Sequence, residues 1–246
     1  MTQINFRPAD GVKGAPTSCA NCRLIDICLP LSMQLDDIDR LSRIIQHRRP
    51  LQKNQYLYRV NEPFRSIYAV RSGTVKTTIL SESGHEKITG FYLPGELVGL
   101  DGIAENRYTC SVVTLETTSV CEIPFVQIEA LSAQMPSLQR NVLQMLSREI
   151  SHDQQRISLV SKSSAEQRIA ALLVSLSRRY EARKLAAHEF SLPMSRTDMG
   201  NFLGLTVETV SRVLSRLQSQ NTIHLNRKEL RILDFALLLE IAEDSR

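Results

Sequence analysis

The chain has 246 residues and a net charge of +4 at neutral pH, with 42% hydrophobic and 23% charged residues. These values fit one large domain or two ordinary ones, with enough apolar residues for a sizeable core. No run of about 18 apolar residues occurs, and residues 1–14 lack the apolar stretch of a secretion signal, so we expect a cytoplasmic protein that does not enter a membrane.

Three of the five cysteines lie close together near the N-terminus: Cys19, Cys22 and Cys28. Cytoplasmic thiols stay reduced, and an odd number of cysteines argues against a closed disulfide framework. A dense group of thiols in a short polar segment is typical of a metal or iron–sulfur site. Arg23 follows the second cysteine, where its charge would stabilise a negatively charged group; a solvated surface arginine is the alternative.

The pattern along the chain predicts an α+β protein. After a helix over 31–45, short runs of β-branched and aromatic residues alternate with glycine and proline turns, which is typical of a β-roll (jelly roll). These runs lie at 66–70, 74–80, 87–92 and 110–114. We expect a cysteine segment at 1–30, a β-roll domain at 31–135, a long dimerisation helix at 136–162 and a winged helix-turn-helix domain at 163–246.

The long helix carries a stripe in steps of three and four residues, which is typical of a coiled-coil seam and predicts a homodimer. The stripe consists of Val142, Leu146, Ile150, Asp153, Ile157 and Val160. In a symmetric dimer the two Asp153 carboxylates would repel and keep the unloaded protein monomeric, which makes Ile150, Asp153 and Ile157 the candidate dimer switch. Alternatively, Asp153 points outward or pairs with Arg148 or Arg156.

Two helices joined by a glycine follow near the C-terminus. Ser195 and Asp198 form a predicted capping box for a helix ending at Leu203, Gly204 makes the turn, and Thr206 caps a second helix over 207–219. This arrangement predicts a helix-turn-helix; a helical hairpin without a role in DNA binding is the alternative.

The second helix exposes Glu208, Ser211 and Arg212, side chains that can bond to base edges in the major groove. Strands at 222–225 and 229–233 flank Arg227 and Lys228, which we expect to form a wing that holds phosphates.

The run Gly204-Leu-Thr-Val-Glu-Thr-Val-Ser-Arg212, the β-rich domain, the long helix and the cysteines resemble the FNR group of the CRP/FNR transcription regulators. The resemblance implies a sensory β-roll and a [4Fe-4S] cluster bound by Cys19, Cys22, Cys28 and Cys121, the last in a stretch similar to the family. Cys110 has no counterpart, and a buried strand residue is its expected role.

In that family the cluster promotes dimerisation when oxygen is scarce and breaks down in oxygen. The resemblance also implies that the dimer binds palindromic double-stranded DNA with TTGAT-like half-sites, and that it contacts RNA polymerase through the loop at 82–85 and the wing.

Three alternatives remain. The cysteine spacing alone also allows a zinc site or a metal-free thiol switch. A regulator gated by a cyclic nucleotide shares the β-roll and a Gly-Glu pair such as Gly95-Glu96, but Arg107 is followed by Tyr108-Thr109 rather than by a small residue, so no cyclic nucleotide is expected. Because dinucleotide and phosphate loops are missing from the sequence, we do not expect an enzyme.

Overall fold

The computed structural model describes residues 19–25, 27–28, 33–81 and 84–243. Its N-terminal half is a β-roll of two antiparallel four-stranded sheets, and strands occupy the four predicted β-rich runs. The strands are β1 (Gln46–His47), β2 (Tyr56–Tyr58), β3 (Ser66–Ser72), β4 (Val75–Leu80), β5 (Glu86–Tyr92), β6 (Leu97–Val98), β7 (Ser111–Thr114) and β8 (Ser119–Pro124). One sheet has the order β1-β8-β3-β6 and the other has the order β2-β7-β4-β5.

The helices expected at 31–45, 136–162 and 207–219, and the one expected to end at Leu203, are all present. The first begins later than expected, and residues 31–32 lie outside the described residues. Their bounds are α1 (Leu35–Ile44), α2 (Phe125–Ser132), α3 (Pro136–Val160), α4 (Ala165–Glu181), α5 (Arg196–Leu203), α6 (Val207–Ser219) and α7 (Phe235–Glu243). The long helix α3 is unbroken over 25 residues, and its proline occupies the first position, where no amide donor is needed. In the described part of the chain, no helix is long and apolar enough to cross a membrane.

Besides strands β1, β2, β6 and β8 of the β-roll, three elements were not predicted individually: α2, α7 and a short strand β9 (Glu189–Ser191). This strand pairs with β11 (Glu229–Ile232), which also pairs with β10 (Ile223–Asn226), so the predicted two-stranded wing is part of a three-stranded sheet. The wing strands were expected at 222–225 and 229–233, and each lies within one residue of those bounds.

The main hydrophobic core continues from the β-roll into the C-terminal helices. Ile88 and Phe91 of β5 belong to the same buried cluster as Leu173, Phe202 and Leu214 of α4, α5 and α6. The rings of Phe91 and Phe202 meet nearly edge to face, with their centroids 5.2 Å apart. The domain boundary predicted at 162/163 therefore does not coincide with a gap in packing, because one core extends across it. This boundary stays a prediction about function.

Polar contacts fix α5 against the edge of the β-roll. Lys76 Nζ lies 2.6 Å from Asp198 Oδ1, in a pair whose side chains are mostly buried. Asn201 binds the backbone of β5 twice: its Oδ1 accepts from the amide of Ile88 at 2.7 Å, and its Nδ2 donates to the carbonyl of Glu86 at 2.8 Å.

A second contact joins the end of α4 to the turn after β5. The carboxylate of Glu96 in this turn accepts from Arg179 Nε at 2.9 Å, from Arg183 Nη2 at 2.7 Å and from the amide of Leu93 at 2.9 Å. Burial raises the pKa of Glu96, but the charges and hydrogen bonds of the two arginines lower it more, to about 2. The group is therefore ionised across the physiological range.

This contact predicts a specific dependence of stability on pH. A carboxylate whose pKa is depressed by folding stabilises the fold above its unfolded pKa, and this contribution disappears as the pH falls from about 4.5 to about 2. Glu96→Gln should lower the free energy of unfolding of metal-free protein at pH 6 by about 3–5 kcal/mol, and should flatten its decline over that window.

Urea unfolding at several pH values measures this effect. Glu129→Gln is the matched control, since Glu129 is exposed on α2. Wild type and Glu96→Gln declining in parallel between pH 4.5 and pH 2 would contradict the assignment.

Candidate functional site

The cysteine segment is a succession of tight turns that begins with a short 3-10 helix at Cys19. The amide of Cys22 donates to the carbonyl of Cys19 at 3.1 Å. Further on, the amide of Cys28 donates to the carbonyl of Leu24 at 2.9 Å, and Leu24 is buried. The amide of Cys19 donates to Ser42 Oγ of α1 at 3.1 Å, so the segment is attached to the β-roll domain.

Cys121 lies on β8, where its strand partners are His47 on β1 and Ala69 on β3. It lines a small, mainly apolar cavity together with the three N-terminal cysteines. The rest of the wall consists of Leu24, Ile25, Ile45, Ala69, Val70, Arg71 and Ile123. The structure thus brings together, around one cavity, the four cysteines that the resemblance implies as ligands.

Cys110 lies elsewhere in the β-roll, immediately before β7. It is buried in the cluster that contains Tyr58 and Tyr108, and its amide donates to Asp101 Oδ2 at 3.2 Å. Burial, together with the nearby carboxylate of Asp101, raises the pKa of its thiol to about 12. Cys110 is therefore a buried thiol outside the cavity of the other four cysteines.

Two thiols of the cavity, those of Cys19 and Cys121, resist ionisation. Burial raises the pKa of Cys121 to about 11, and the proximity of Cys19 and Cys22 contributes to this rise. Burial also raises the pKa of Cys19, although the hydrogen bond of Ser42 acts in the opposite direction. Thiolates are the form that binds metals, so a positively charged centre must offset both the burial of the thiolates and their mutual repulsion.

The cation that the protein contributes to this cavity is Arg71, near the end of β3. Its charge lowers the thiol pKa values of both Cys19 and Cys121, in opposition to their burial. The sequence had suggested Arg23 for this role because of its position after Cys22. Arg23 is exposed and does not line the cavity, whereas the strand pairing of β3 with β8 places Arg71 beside it.

The helix-turn-helix has the predicted caps. Ser195 Oγ accepts from the amide of Asp198 at 3.0 Å, and Asp198 Oδ2 accepts from the amide of Ser195 at 2.9 Å. Helix α5 ends at Gly204, whose φ is +68°. A Cβ at Gly200 would lie 2.6 Å from the carbonyl oxygen of Leu205, so the turn also needs glycine at that position.

Helix α6 has one buried and one exposed face. Thr206 Oγ1 caps it by accepting from the amide of Thr209 at 3.2 Å. The buried face consists of Val210, Val213, Leu214 and Leu217. On the other face Glu208 and Arg212 are exposed and Ser211 is half-buried, so all three are at the solvent side of the helix.

The tip of the wing is basic and exposed. Arg227 adopts a φ of +55° in the turn between β10 and β11, and both Arg227 and Lys228 are exposed. In the loop at 82–85, residues 82 and 83 lie outside the described residues.

The middle of the predicted dimer stripe is open to solvent on the single chain, whereas Val142, Leu146 and Val160 are half-buried. Ile150 and Ile157 are 60% and 66% exposed. Asp153 Oδ1 accepts from Arg156 Nη1 at 2.5 Å, which is one of the pairings expected as alternatives. Arg156 also donates to Glu149 Oε1 at 3.0 Å, so the three side chains together carry one net negative charge.

The Gly95-Glu96 pair that a cyclic nucleotide would need is already engaged. The Glu96 carboxylate accepts hydrogen bonds from Arg179, Arg183 and the amide of Leu93, although Gly95 and Glu96 also line an open pocket beside α3 and α4. Arg107 is exposed and donates to the carbonyl of Asn61 at 2.8 Å.

A comparison with protein families finds two matches. Residues 167–241 match the Crp-like helix-turn-helix domain, and residues 48–135 match the cyclic nucleotide-binding domain. The second match describes the β-roll.

Relatives of known function match nearly the whole chain. The chain is 49% identical to the transcriptional activator protein anr of Pseudomonas aeruginosa, over 91% of this chain and 92% of the relative. It is 41% identical to the fumarate and nitrate reduction regulatory protein of Vibrio cholerae, over 95% and 93%. Among solved structures, FixK2 from Bradyrhizobium japonicum aligns with a TM-score of 0.74 and 26% identity, covering 82% of this chain and 100% of that one.

Proposed function

The chain belongs to the CRP/FNR family of transcription regulators, among its anaerobic FNR-type members, and from that premise we propose that a [4Fe-4S] cluster controls its dimerisation and its binding to DNA. The proposed ligands are Cys19, Cys22, Cys28 and Cys121. Oxygen would destroy the cluster, return the protein to monomers and release the DNA. The site of action would be the cytoplasm.

The observation that carries this proposal is the convergence of four cysteines on one cavity. Three come from the N-terminal turns and one from β8, so a group bound by all of them would tie the segment to the β-roll. When bound, such a cluster supplies four iron centres that accept thiolates and are sensitive to oxygen. The apolar wall limits the access of water, and Arg71 adds a positive charge beside the thiolates.

A single zinc ion is a poorer fit to the same residues. Zinc would need its thiolates about 2.3 Å from one common point. In the part of the chain that the structure describes, no three histidine, cysteine or acidic side chains form a group that could hold one metal ion. A cluster binds each thiolate to a different iron, so its ligands lie around a cavity rather than at one point.

The dimer would form along α3. Its exposed Ile150 and Ile157 offer apolar surface to a second copy, and Asp153 lies between them. Arg156 neutralises only part of the local charge, because it also serves Glu149. Two such groups facing each other would repel, and this repulsion is the barrier that the loaded sensory domain has to overcome.

The helix-turn-helix would read a palindrome with TTGAT-like half-sites. We assign base contacts to Glu208, Ser211 and Arg212, since they lie on the solvent side of α6, and phosphate contacts to Arg227 and Lys228. A dimer places two such helices about one turn of DNA apart, so dimerisation alone changes affinity. Contacts with RNA polymerase would come from the loop at 82–85 and from the wing.

The first prediction tests the ligand set with two matched substitutions. Protein purified without air should show a broad visible absorbance band that decays when air is admitted. Cys110→Ser should keep the band, because Cys110 lies outside the cavity, whereas Cys121→Ser should lose it. Iron and sulfide analysis of the same samples provides the stoichiometry. A colourless wild type with stoichiometric zinc, or a full band in Cys121→Ser, would rule out this ligand set.

The second prediction concerns the dimer barrier. Asp153→Ala leaves the Arg156–Glu149 pair neutral and removes the repulsion between subunits. We expect the cluster-free variant to dimerise at least about tenfold more tightly than wild type, the equivalent of about 1.4 kcal/mol. Sedimentation equilibrium measures this constant, with Asp39→Ala on the exposed side of α1 as control. A monomeric Asp153→Ala at micromolar concentration would argue against the barrier.

The third prediction separates base recognition from phosphate binding. Arg212→Ala should lose discrimination at one G·C pair in each half-site, at a cost of about 1–3 kcal/mol. Lys228→Ala, at the exposed tip of the wing, should weaken specific and random DNA equally. Titration of both variants with matched, substituted and random duplexes distinguishes the two effects. Equal losses for Arg212→Ala on all three duplexes would exclude a base contact.

A further inference from the structure

The turn between β5 and β6 is held by the end of α4 through more than the carboxylate of Glu96. Arg179 Nη2 also donates to the carbonyl of Phe91 at 2.7 Å, and Arg183 Nε donates to the carbonyl of Pro94 at 2.6 Å. Two guanidinium groups of the C-terminal domain therefore donate hydrogen bonds to both the side chain and the backbone of one turn in the sensory domain. We call these contacts of Glu96, Arg179 and Arg183 the α4 joint.

The α4 joint is largely removed from water. The side chains of Glu96 and Arg183 are 11% and 5% exposed, and that of Arg179 is 22% exposed. Charged groups at this depth keep their geometry only while every partner stays in place, because an unpaired buried charge is costly. The joint is thus sensitive to small displacements of the turn.

The cysteine segment rests directly on that turn. Gly95 has a φ of +90°, and a Cβ built on it would lie 2.6 Å from Cδ1 of Ile27. Ile27 therefore packs against the bare backbone of Gly95, and a side chain at position 95 would force Ile27 to shift. In the sequence Ile27 precedes Cys28, and Gly95 precedes Glu96, so one contact separates a proposed cluster ligand from the joint.

We propose that Glu96, Arg179 and Arg183 position the DNA-binding domain on the sensory domain, and that Ile27 couples this joint to the state of the cysteine segment. The role of the cluster in this coupling rests on the function proposed above. Loading the cluster fixes Cys28, which keeps Ile27 against Gly95 and holds the turn in the position that the arginines need. Loss of the cluster frees the segment, and the joint loosens.

The coupling offers a route to DNA that is separate from dimerisation along α3. In related sensory domains the Gly-Glu pair would recognise a cyclic nucleotide. In this chain Glu96 of that pair binds Arg179 and Arg183 instead. By linkage the effect has to be reciprocal: whatever loosens the joint also weakens the hold on the cysteine segment.

Hydrogen exchange of the full chain, read by mass spectrometry, tests the proposal. In wild type, peptides covering 91–97 and 176–185 should exchange about fivefold more slowly when the protein is loaded anaerobically than when it is cluster-free. Ile27→Ala should abolish this difference, and Ile27→Val, which keeps most of the contact, should restore it. Leu35→Ala is the control, because Leu35 on α1 is 70% exposed.

A second measurement follows the visible band in air. Glu96→Gln should shorten its lifetime severalfold, although Glu96 does not line the cysteine cavity, whereas the exposed Glu129→Gln should not. An unchanged lifetime in Glu96→Gln, or a full exchange difference in Ile27→Ala, would overturn the coupling.

The failure of the proposed function would look different. If wild type held no cluster, hydrogen exchange of the cluster-free proteins would still test the contact between Ile27 and Gly95. Faster exchange of residues 91–97 in Ile27→Ala than in wild type would support it, and equal rates would overturn it.

Discussion

The burial of reactive thiols is the constraint on which the sensory half depends. Burial raises the pKa of Cys19, and it raises the pKa of Cys121 to about 11, in a cavity whose wall is mostly apolar; the proximity of neighbouring thiols adds to both rises. Arg71 offsets only part of this effect. The arrangement of the cysteine segment is therefore linked to whatever positive centre the thiolates share, in addition to the contacts of Cys19 with Ser42 and of Ile27 with Gly95.

The elements with local signals could be predicted from the sequence. Capping residues determine the ends of α5, since Ser195 and Asp198 bond reciprocally and Gly204 takes the left-handed conformation. The strands of the β-roll follow from β-branched runs, and α3 from the lack of breakers. By contrast, β9 has only three residues, and α7 is almost uniformly apolar at its start, so neither has a periodic pattern.

The site was predictable only in part, and for a physical reason. The spacing of the three N-terminal cysteines is a local signal. The choice of Cys121 over Cys110 as the fourth ligand came instead from a resemblance. The structure supplies a physical reason for this choice, because Cys121 lines the shared cavity and Cys110 does not. Arg71 could not be identified because its neighbourhood depends on the pairing of β3 with β8. In the sequence, Glu96 was interpreted only as part of a Gly-Glu pair that a cyclic nucleotide could use. Its contact with α4 could not be predicted, because its arginine partners lie more than eighty residues later in the sequence.

Charged contacts connect the dimerisation helix α3, the turn after β5 and the DNA-binding domain. Helix α3 ends at Val160 and α4 begins at Ala165, so the dimer seam and the DNA-binding domain are joined by a few residues. Tyr92, the last residue of β5, donates to Glu149 of α3 at 3.0 Å, and the adjoining turn contains Glu96, which α4 holds. The end of β5 is thus bonded to both helices. A shift of this one turn would displace both the dimer seam and the DNA-binding domain. This coupling favours a switch with two states over independent adjustments of each part.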